Sequence, residues 1–445
     1  MMKIHKRMSV VFLVIIMVVV CHAPAEAQLM GLLSLERLSL LDAGGTGGRP
    51  MGMGSAYTAV SDDAFAILYN PAGLTQIKDR EISFGIHHRQ VKIDAIYDVY
   101  RAANDNSYTS IGHLAYAVPL DSYYDSAVLG IGVFRVSSSD LEYIRNASRM
   151  DLEGTIMNSF KQSGSIYQYR LGVGVELTPK IAFGASLVLW NSSVDFNETV
   201  DYTHGSSDSS YTLSDNGSAE LTGVSIEVGV MLWLSDYIKA GLTMSTPAKL
   251  YYDGDGENSY TGTFPDGYGW TTDNEYYYIE DEFTIPMKFT GGISFSAGDL
   301  LLAADVTWCD FSQVEYNNLN LSSELDPMRD VIESSFSYSL GAEFTVPGST
   351  MSIRGGYSWI PLAMQGMDEI TYVIDTPAEW GIVTEYDFVT IEDDRQFFTL
   401  GIGGIVDDVL ALDLGIRYGS FKRKTDFLTD KRDFTEIMLS GAYRF

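Results

Sequence analysis

Thr222-Gly223-Val224-Ser225-Ile226-Glu227-Val228-Gly229-Val230-Met231-Leu232-Trp233-Leu234 alternates without a break: Thr222, Val224, Ile226, Val228, Val230, Leu232 and Leu234 share one face, and Glu227 sits on the other. Period two is the pattern of a strand, whose successive side chains point to opposite faces. The rhythm recurs in fourteen segments, read at 81–91, 108–118, 127–137, 165–177, 181–195, 219–234, 238–251, 283–296, 300–314, 334–346, 351–360, 396–406, 410–422 and 433–445. In hydrocarbon each unpaired backbone N–H or C=O costs several kcal/mol, so strands cross a bilayer only in a sheet that closes on itself. The fold class read from the sequence is therefore an all-β membrane protein: a 14-stranded antiparallel transmembrane β-barrel.

Connection lengths support the count. Short links follow the even strands, around Asp121, Pro179, Asp236, Gly298, Gly348 and Asp407; longer ones rich in Asp, Asn, Ser and Tyr follow the odd strands. Outer-membrane barrels have an even strand number, short periplasmic turns and long outer loops, which puts both chain ends in the periplasm. A secreted β-sandwich has turn signals too, but no reason to alternate their lengths. In the tenth strand Phe336, Tyr338, Leu340, Ala342, Phe344 and Val346 oppose Glu343; in the thirteenth Leu410, Leu412, Leu414, Ile416 and Tyr418 oppose Asp413 and Arg417. Arg or Lys on the lipid face at mid-membrane costs roughly 2–4 kcal/mol, so the charged face must line the lumen. Arg170, Glu176, Asp305, Arg354, Asp413 and Arg417 are then interior. The last strand sets Ile437, Leu439, Gly441, Tyr443 and the terminal Phe445 against Glu436, Ser440 and Arg444, as expected of a signal read by barrel-insertion machinery.

At the front, Lys3, Lys6 and Arg7 precede an apolar run from Val10 to Val20, and Ala25-Glu26-Ala27 offers a cleavage site before Gln28. The run is too short for the ~20 residues of a helical span, so residues 1–27 read as a secretory leader. Of the two cysteines only Cys309 lies beyond it, which leaves no internal disulfide. The formal charge of −30 excludes nucleic acid as a partner, since polyanion binding needs clustered Lys and Arg. Acid crowds one loop from Asp253 to Glu282. Within it Asp253-Gly254-Asp255-Gly256-Glu257-Asn258 has oxygen ligands suited to Ca²⁺ but lacks the full twelve-residue loop, and reads better as solvated acid.

Residues 28–80 do not read as barrel. A run of Gly44, Gly45, Gly47 and Gly48 leads to Met51-Gly52-Met53-Gly54-Ser55-Ala56-Tyr57, and Ser61 is the expected N-cap of a short helix through Asp62, Asp63, Ala64, Phe65 and Leu68 that Pro71 stops. Gly52-x-Gly54-Ser55-Ala56-Tyr57, Ser61-Asp62-Asp63-Ala64 and Tyr69-Asn70-Pro71-Ala72-Gly73-Leu74 resemble the N-terminal plug of FadL-type transporters for long-chain fatty acids and aromatic hydrocarbons. The resemblance implies a hatch at 28–80 inside a fourteen-stranded barrel at 81–445, in the outer membrane of a Gram-negative-type envelope. Gly52, Gly54, Asp62, Asp63, Asn70, Pro71, Ala72 and Gly73 carry the hatch motif. No parallel βαβ unit surrounds these glycines, so they are not a dinucleotide loop.

The function expected is passive uptake of hydrophobic small molecules, because some fifty residues are available to obstruct the bore against polar solutes. In the family, solute leaves sideways into the membrane lipids at a distortion of the third strand. Here that strand has apolar residues on both faces, and Gly130 and Gly132 remove side chains from its middle. They are the expected lateral opening, with a strand packed between lipid and an apolar hatch as the plainer alternative. For a fatty-acid carboxylate, Arg170, Arg354 and Arg417 are the candidate contacts by inward parity; the alternative is pairing with luminal acids. No cofactor or metal is expected. His87, His88, His113 and His204 accompany no Gly-x-Ser-x-Gly or HExxH, so the chain does not read as an enzyme. PorV-type shuttles of type IX secretion also resemble this plug and barrel, and a secreted protein is the partner in that reading. In a third, adhesive reading the contact surface is the loop 361–395.

Overall fold

The computed structural model describes residues 45–97, 100–120, 127–138, 140–149, 154–204, 210–263, 269–271, 275–310, 316–318, 334–361, 366–376, 379–424 and 428–445. The leader, the hatch before Gly45 and the turn expected at Asp121 lie outside the described residues.

Fourteen strands form one closed antiparallel ring: β1 (Glu81–Tyr97), β2 (Tyr100–Leu120), β3 (Ala127–Ser138), β4 (Gly154–Thr178), β5 (Ile181–His204), β6 (Ser210–Trp233), β7 (Ile238–Ser245), β8 (Lys288–Ala297), β9 (Leu300–Cys309), β10 (Ser335–Thr345), β11 (Met351–Ile360), β12 (Glu379–Val406), β13 (Leu410–Lys424) and β14 (Leu428–Arg444). Each pairs with its neighbours in sequence. The ring closes where β14 returns to β1, with Glu81 opposite Arg444. At that seam Arg80 N–H donates to the Phe445 carbonyl at 3.3 Å and Phe445 N–H to that of Arg80 at 2.9 Å.

The two faces separate as alternation demands. Leu171, Leu187, Val224, Leu340, Ile353, Leu400 and Leu439 are exposed on the outside, while Arg170, Glu227, Asp305, Glu343, Arg354 and Glu436 are buried inside. An apolar outer band with a charged interior is the solvent inversion of a barrel in lipid.

Three expectations change in detail. The expected loop between the fifth and sixth strands is largely strand, and Thr203 pairs with Ser210. β4, β5 and β6 run 25, 24 and 24 residues, against the ~9–11 a bilayer requires, so a wall of sheet rises beyond the membrane. Its composition looks loop-like, yet most of its buried positions are apolar. Val194, Phe196, Ala219 and Leu221 pack with Leu250 and Tyr252 as one inner face.

The seventh and eighth strands, read as 238–251 and 283–296, break at prolines. Segments Ala248–Thr263 and Glu275–Ile285 continue them beyond Pro247 and Pro286. Proline has no N–H to give the ladder. Thr246 bridges the first break: its N–H donates to the Ile226 carbonyl at 2.9 Å and its Oγ1 accepts from Ile226 N–H at 3.0 Å. The loop 361–395 is a hairpin in which Gly366–Thr376 pairs with the start of β12.

Residues 45–77 fill the ring near its short-turn end. They comprise helix α1 (Gly48–Gly52), helix α2 (Ala66–Tyr69) and a 3-10 helix (Pro71–Gln76). Ser61 is not the cap of α2. Its hydroxyl donates to the Tyr57 carbonyl at 2.7 Å, and Asp63 Oδ1 accepts from Phe65 N–H at 3.0 Å in the role foreseen for it. Pro71 stops α2 and also opens the 3-10 helix, where a missing N–H is harmless.

Candidate functional site

The inner segment touches the wall backbone to backbone. A Cβ on Gly184 of β5 would lie 2.2 Å from the Pro71 carbonyl carbon, and one on Gly356 of β11 would lie 2.3 Å from Gly54 N. Ring glycines pair across strands at this level: Gly130 with Gly172, Gly174 with Gly184, Gly184 with Gly229, Gly241 with Gly292, Gly341 with Gly356 and Gly401 with Gly415. They make a collar in which side chains would collide with the inner segment, and that segment sits in it.

Polar groups key the segment into that collar. Asp305 Oδ2 accepts from Tyr57 N–H and Thr58 N–H, both at 2.9 Å. Ser440 Oγ accepts from Gly48 N–H at 2.8 Å, and Glu81 Oε1 from Ala64 N–H at 2.8 Å. Ser358, Thr399 and Ser294 hydroxyls donate to the carbonyls of Gly54, Gly52 and Ala59. Arg49 donates to both Glu343 oxygens at 2.8 and 3.0 Å, to Asp62 at 2.5 Å and to the Tyr57 hydroxyl at 3.0 Å.

The motif residues of the hatch fall within this arrangement. Gly52 packs on Gly401, and Gly54 turns the chain at φ 61 under the Leu340 carbonyl. Asp62 meets Arg49, and Asp63 accepts from the Tyr57 hydroxyl at 2.6 Å. Asn70 accepts from Ala72 N–H at 3.1 Å while its amide donates to the carbonyls of Thr58 at 2.9 Å and Val230 at 3.2 Å. Pro71 faces Gly184, and Gly73 lies where a Cβ would come within 2.2 Å of the Ser61 carbonyl oxygen.

Gly130 and Gly132 both face inward. The β2 and β4 ladders run unbroken through them. Gly130 makes room for Ile67 of α2 and Gly132 for the Phe134 ring. The irregularity of β3 lies further along, between Arg135 and Ser137, where its register with β4 shifts by one residue.

The three candidate arginines are all engaged. Arg170 pairs with Glu227 at 3.0 Å and donates to the Ile67 carbonyl. Arg354 bridges Glu343 at 2.5 Å and Asp413 at 2.7 Å. Arg417 donates through Nε to Glu436 at 2.9 Å, and it also borders a pocket on the outer side of the inner segment.

That pocket has Gly45 and Thr46 as floor, with walls from β1, β3, β12, β13 and β14. Arg89, Arg135, Arg395 and Arg417 line it with a single carboxylate, Glu436. Arg49, Arg89, Arg135 and Arg395 escaped the sequence reading. Inward parity was the available signal for Arg89; Arg135 has the outward parity of β3 and is buried where the register shifts, which no local pattern announces.

The family model for BamG matches residues 42–352. No curated protein matches the sequence. Among solved structures, the toluene transporter TodX of P. putida superposes with a TM-score of 0.62 at 15% identity, covering 90% of this chain and 99% of that one. The Ralstonia pickettii toluene transporter TbuX gives 0.58 at 14%, with 90% and 98% covered. A Pseudomonas aeruginosa FadL homologue gives 0.59 at 13%, again with 90% and 98% covered. The FadL-type resemblance of the sequence is thus a likeness of the whole fold.

Proposed function

The chain belongs to the BamG family, and from its stoppered ring we propose that it is an outer-membrane channel for passive uptake of hydrophobic compounds, long-chain fatty acids or aromatic hydrocarbons, with residues 28–80 as the hatch. The observation that carries this reading is the collar: among the described residues the hatch meets the wall backbone to backbone at Gly184 and Gly356, which argues against a wide aqueous bore for polar solutes. An apolar solute meets its barrier elsewhere, in the hydrated sugar layer outside, and needs only an apolar lining through that layer. The tall wall with its inner face of Val194, Phe196, Leu221 and Leu250 offers one. The structural neighbours that transport toluene are consistent with such a solute.

Release sideways into the bilayer is the exit this reading favours. The pocket reaches β3 at Arg135, Val136, Ser137 and Ser138, where the ladder is already irregular. Val136 stands nine positions beyond Ala127, about 30 Å along the strand at ~3.3 Å per residue. With a strand tilt near 45° that is about 20 Å up a hydrocarbon layer of ~30 Å, the level of the outer leaflet. Gly130 and Gly132 contribute by letting Ile67 and the Phe134 ring seal the wall below.

Deleting Val136 tests the proposal, because it brings Arg135 and Ser137 into one register with β4. Uptake of radiolabelled toluene and oleate by cells making the protein should rise over vector controls and fall back in the deletion, with heat-modifiable migration on gels unchanged. Undiminished uptake by the deletion refutes the side exit. No rise with the intact protein, together with co-purification of a secreted protein, favours the shuttle reading instead.

A further inference from the structure

The inner face along the closing seam is layered. Strand register sets Thr399, Arg417, Glu436 and Arg89 in one row, then Phe397, Gly419, Phe434 and Val91, then Phe421, Arg432 and Ile93; Arg395 lies opposite Ile360, where the β12–β13 register is irregular. Guanidiniums lie over rings: between the rows Arg417 is 4.5 Å from the Phe397 centroid and Arg89 5.2 Å from Phe434, and within the third Arg432 is 5.8 Å from Phe421. Gly419 vacates its place for the Phe397 ring. A chain of formal charge −30 has here concentrated cations.

Charge is not balanced pairwise at the innermost row. Glu436 is shared by Arg417, by Arg89 at 3.6 Å and by His87 at 3.5 Å. Asp140, outside the lining, takes Arg135 at 2.9 Å. Arg89 is 8% exposed, and its Nε lies 3.6 Å from Glu436, beyond hydrogen-bond distance, with no other acceptor among the described residues. A buried guanidinium donor without an acceptor is costly, and an entering anion would supply one.

We propose that this seam binds amphiphilic anions with an aromatic body, the acidic head on Arg89 and Arg395 and the ring between Phe397 and Phe434. The proposal rests on the uptake reading above and narrows its solute: neutral hydrocarbon satisfies the phenylalanine rows alone, an aromatic acid satisfies both. Guanidinium suits planar or tetrahedral oxyanions through paired hydrogen bonds, and ring stacking adds to it.

The test uses the full chain in lipid nanodiscs, with empty nanodiscs as reference, and calorimetric titration of 2-naphthalenesulfonate against 2-naphthol, which is neutral at pH 7. The sulfonate should bind about tenfold tighter or more. Arg89→Gln and Arg395→Gln should each remove about fivefold or more of its affinity and leave naphthol unchanged, while Phe434→Leu weakens both. Heat-modifiable migration certifies the ring in each variant, and Arg89→Lys, which keeps the charge, should retain part of the preference. Equal affinities for the two probes, or wild-type sulfonate binding in both glutamine variants, overturn the anion site and leave uptake standing. Binding of neither probe removes the uptake reading of this bore, and the anion site with it.

Discussion

Arg49 is the ionic anchor of the hatch, and replacing it with methionine should unseat the hatch without opening the ring. The side chain is 16% exposed and reaches Glu343 of β10 and Asp62 of the hatch itself. Removing one partner of a buried pair costs about 3–5 kcal/mol when the other is stranded. Glu343 is not stranded, since Arg354 holds it at 2.5 Å, and Asp62 is 35% exposed and regains water. The expected loss is therefore smaller, about 2–3 kcal/mol, which raises the unseated fraction roughly 30- to 150-fold at 1.4 kcal/mol per tenfold. Single-channel recording in planar bilayers reads this directly: wild type should be silent and Arg49→Met should show brief openings at that greater frequency. Glu343→Met leaves Arg49 with Asp62 and Arg354 with Asp413, and should open about as often as Arg49→Met. The double variant, with two apolar groups facing each other, should recover most of the silence, giving a coupling energy of about 1–3 kcal/mol. A silent Arg49→Met channel with unchanged melting temperature refutes the anchor.

Other expectations concern the collar and the wall. Gly184→Val puts side chain where the Pro71 carbonyl stands, and openings should become frequent while the ring still assembles; a silent channel contradicts the backbone seat. Asp305→Ala leaves Tyr57 and Thr58 N–H groups without acceptors, at about 1–3 kcal/mol each, and thermal unfolding should begin earlier; an unchanged melting curve denies the key. In the wall beyond the membrane, burial raises the Asp215 carboxyl to about 6, against the opposing hydrogen bond from the Tyr277 hydroxyl at 2.6 Å. A carboxyl raised on folding binds its proton more tightly folded than unfolded, so stability rises as pH falls through about 6 and gains no more below its ordinary value. Amide exchange across β6 near Asp215, corrected for intrinsic rate, should slow between pH 8 and pH 5, and Asp215→Asn should be slow throughout; pH-independent protection dismisses the effect.

The ring was legible because lipid imposes one rule on every strand. Val224, Leu340 and Ile416 face hydrocarbon and cannot be polar, while Glu227, Glu343 and Arg417 cannot face it, so period two survives in each spanning segment. Beyond the membrane the rule relaxes to one face. Asp195, Asp215 and Asp253 then give the wall the composition of a loop, though Val194, Phe196 and Leu221 still alternate beneath. The hatch motif was visible as glycines and Asn70-Pro71, but the reason for those glycines was not, since it lies on distant strands, in Gly356 for Gly54 and Gly401 for Gly52. Arg49 and Arg89 illustrate the same limit: a guanidinium's partner is set by the closure of the ring, and no local pattern announces Glu343 or Glu436.

Two exits compete below the pocket, and magnitudes separate them. Passage straight through requires the hatch to leave its collar, which breaks the hydrogen bonds to Asp305, Ser440, Glu81, Ser358, Thr399 and Ser294 and the Arg49 pairs. At about 1 kcal/mol net for each neutral bond and more for the charged ones, the total is on the order of 10 kcal/mol, or roughly a 10⁷-fold rarer state. Parting β3 from β4 at Gly130 and Gly132 is no better, because each freed backbone group in hydrocarbon costs several kcal/mol. At Val136 the register has already slipped by one residue, so a gap there orphans fewer groups, close to the interface where water can reach them. Sideways release at the bulge is thus the least costly path the fold offers, and it predicts that Gly184→Val, which loosens the hatch, should raise ion conductance without accelerating toluene entry. If entry accelerates in parallel with conductance, solute is passing the hatch and the side exit is not the route.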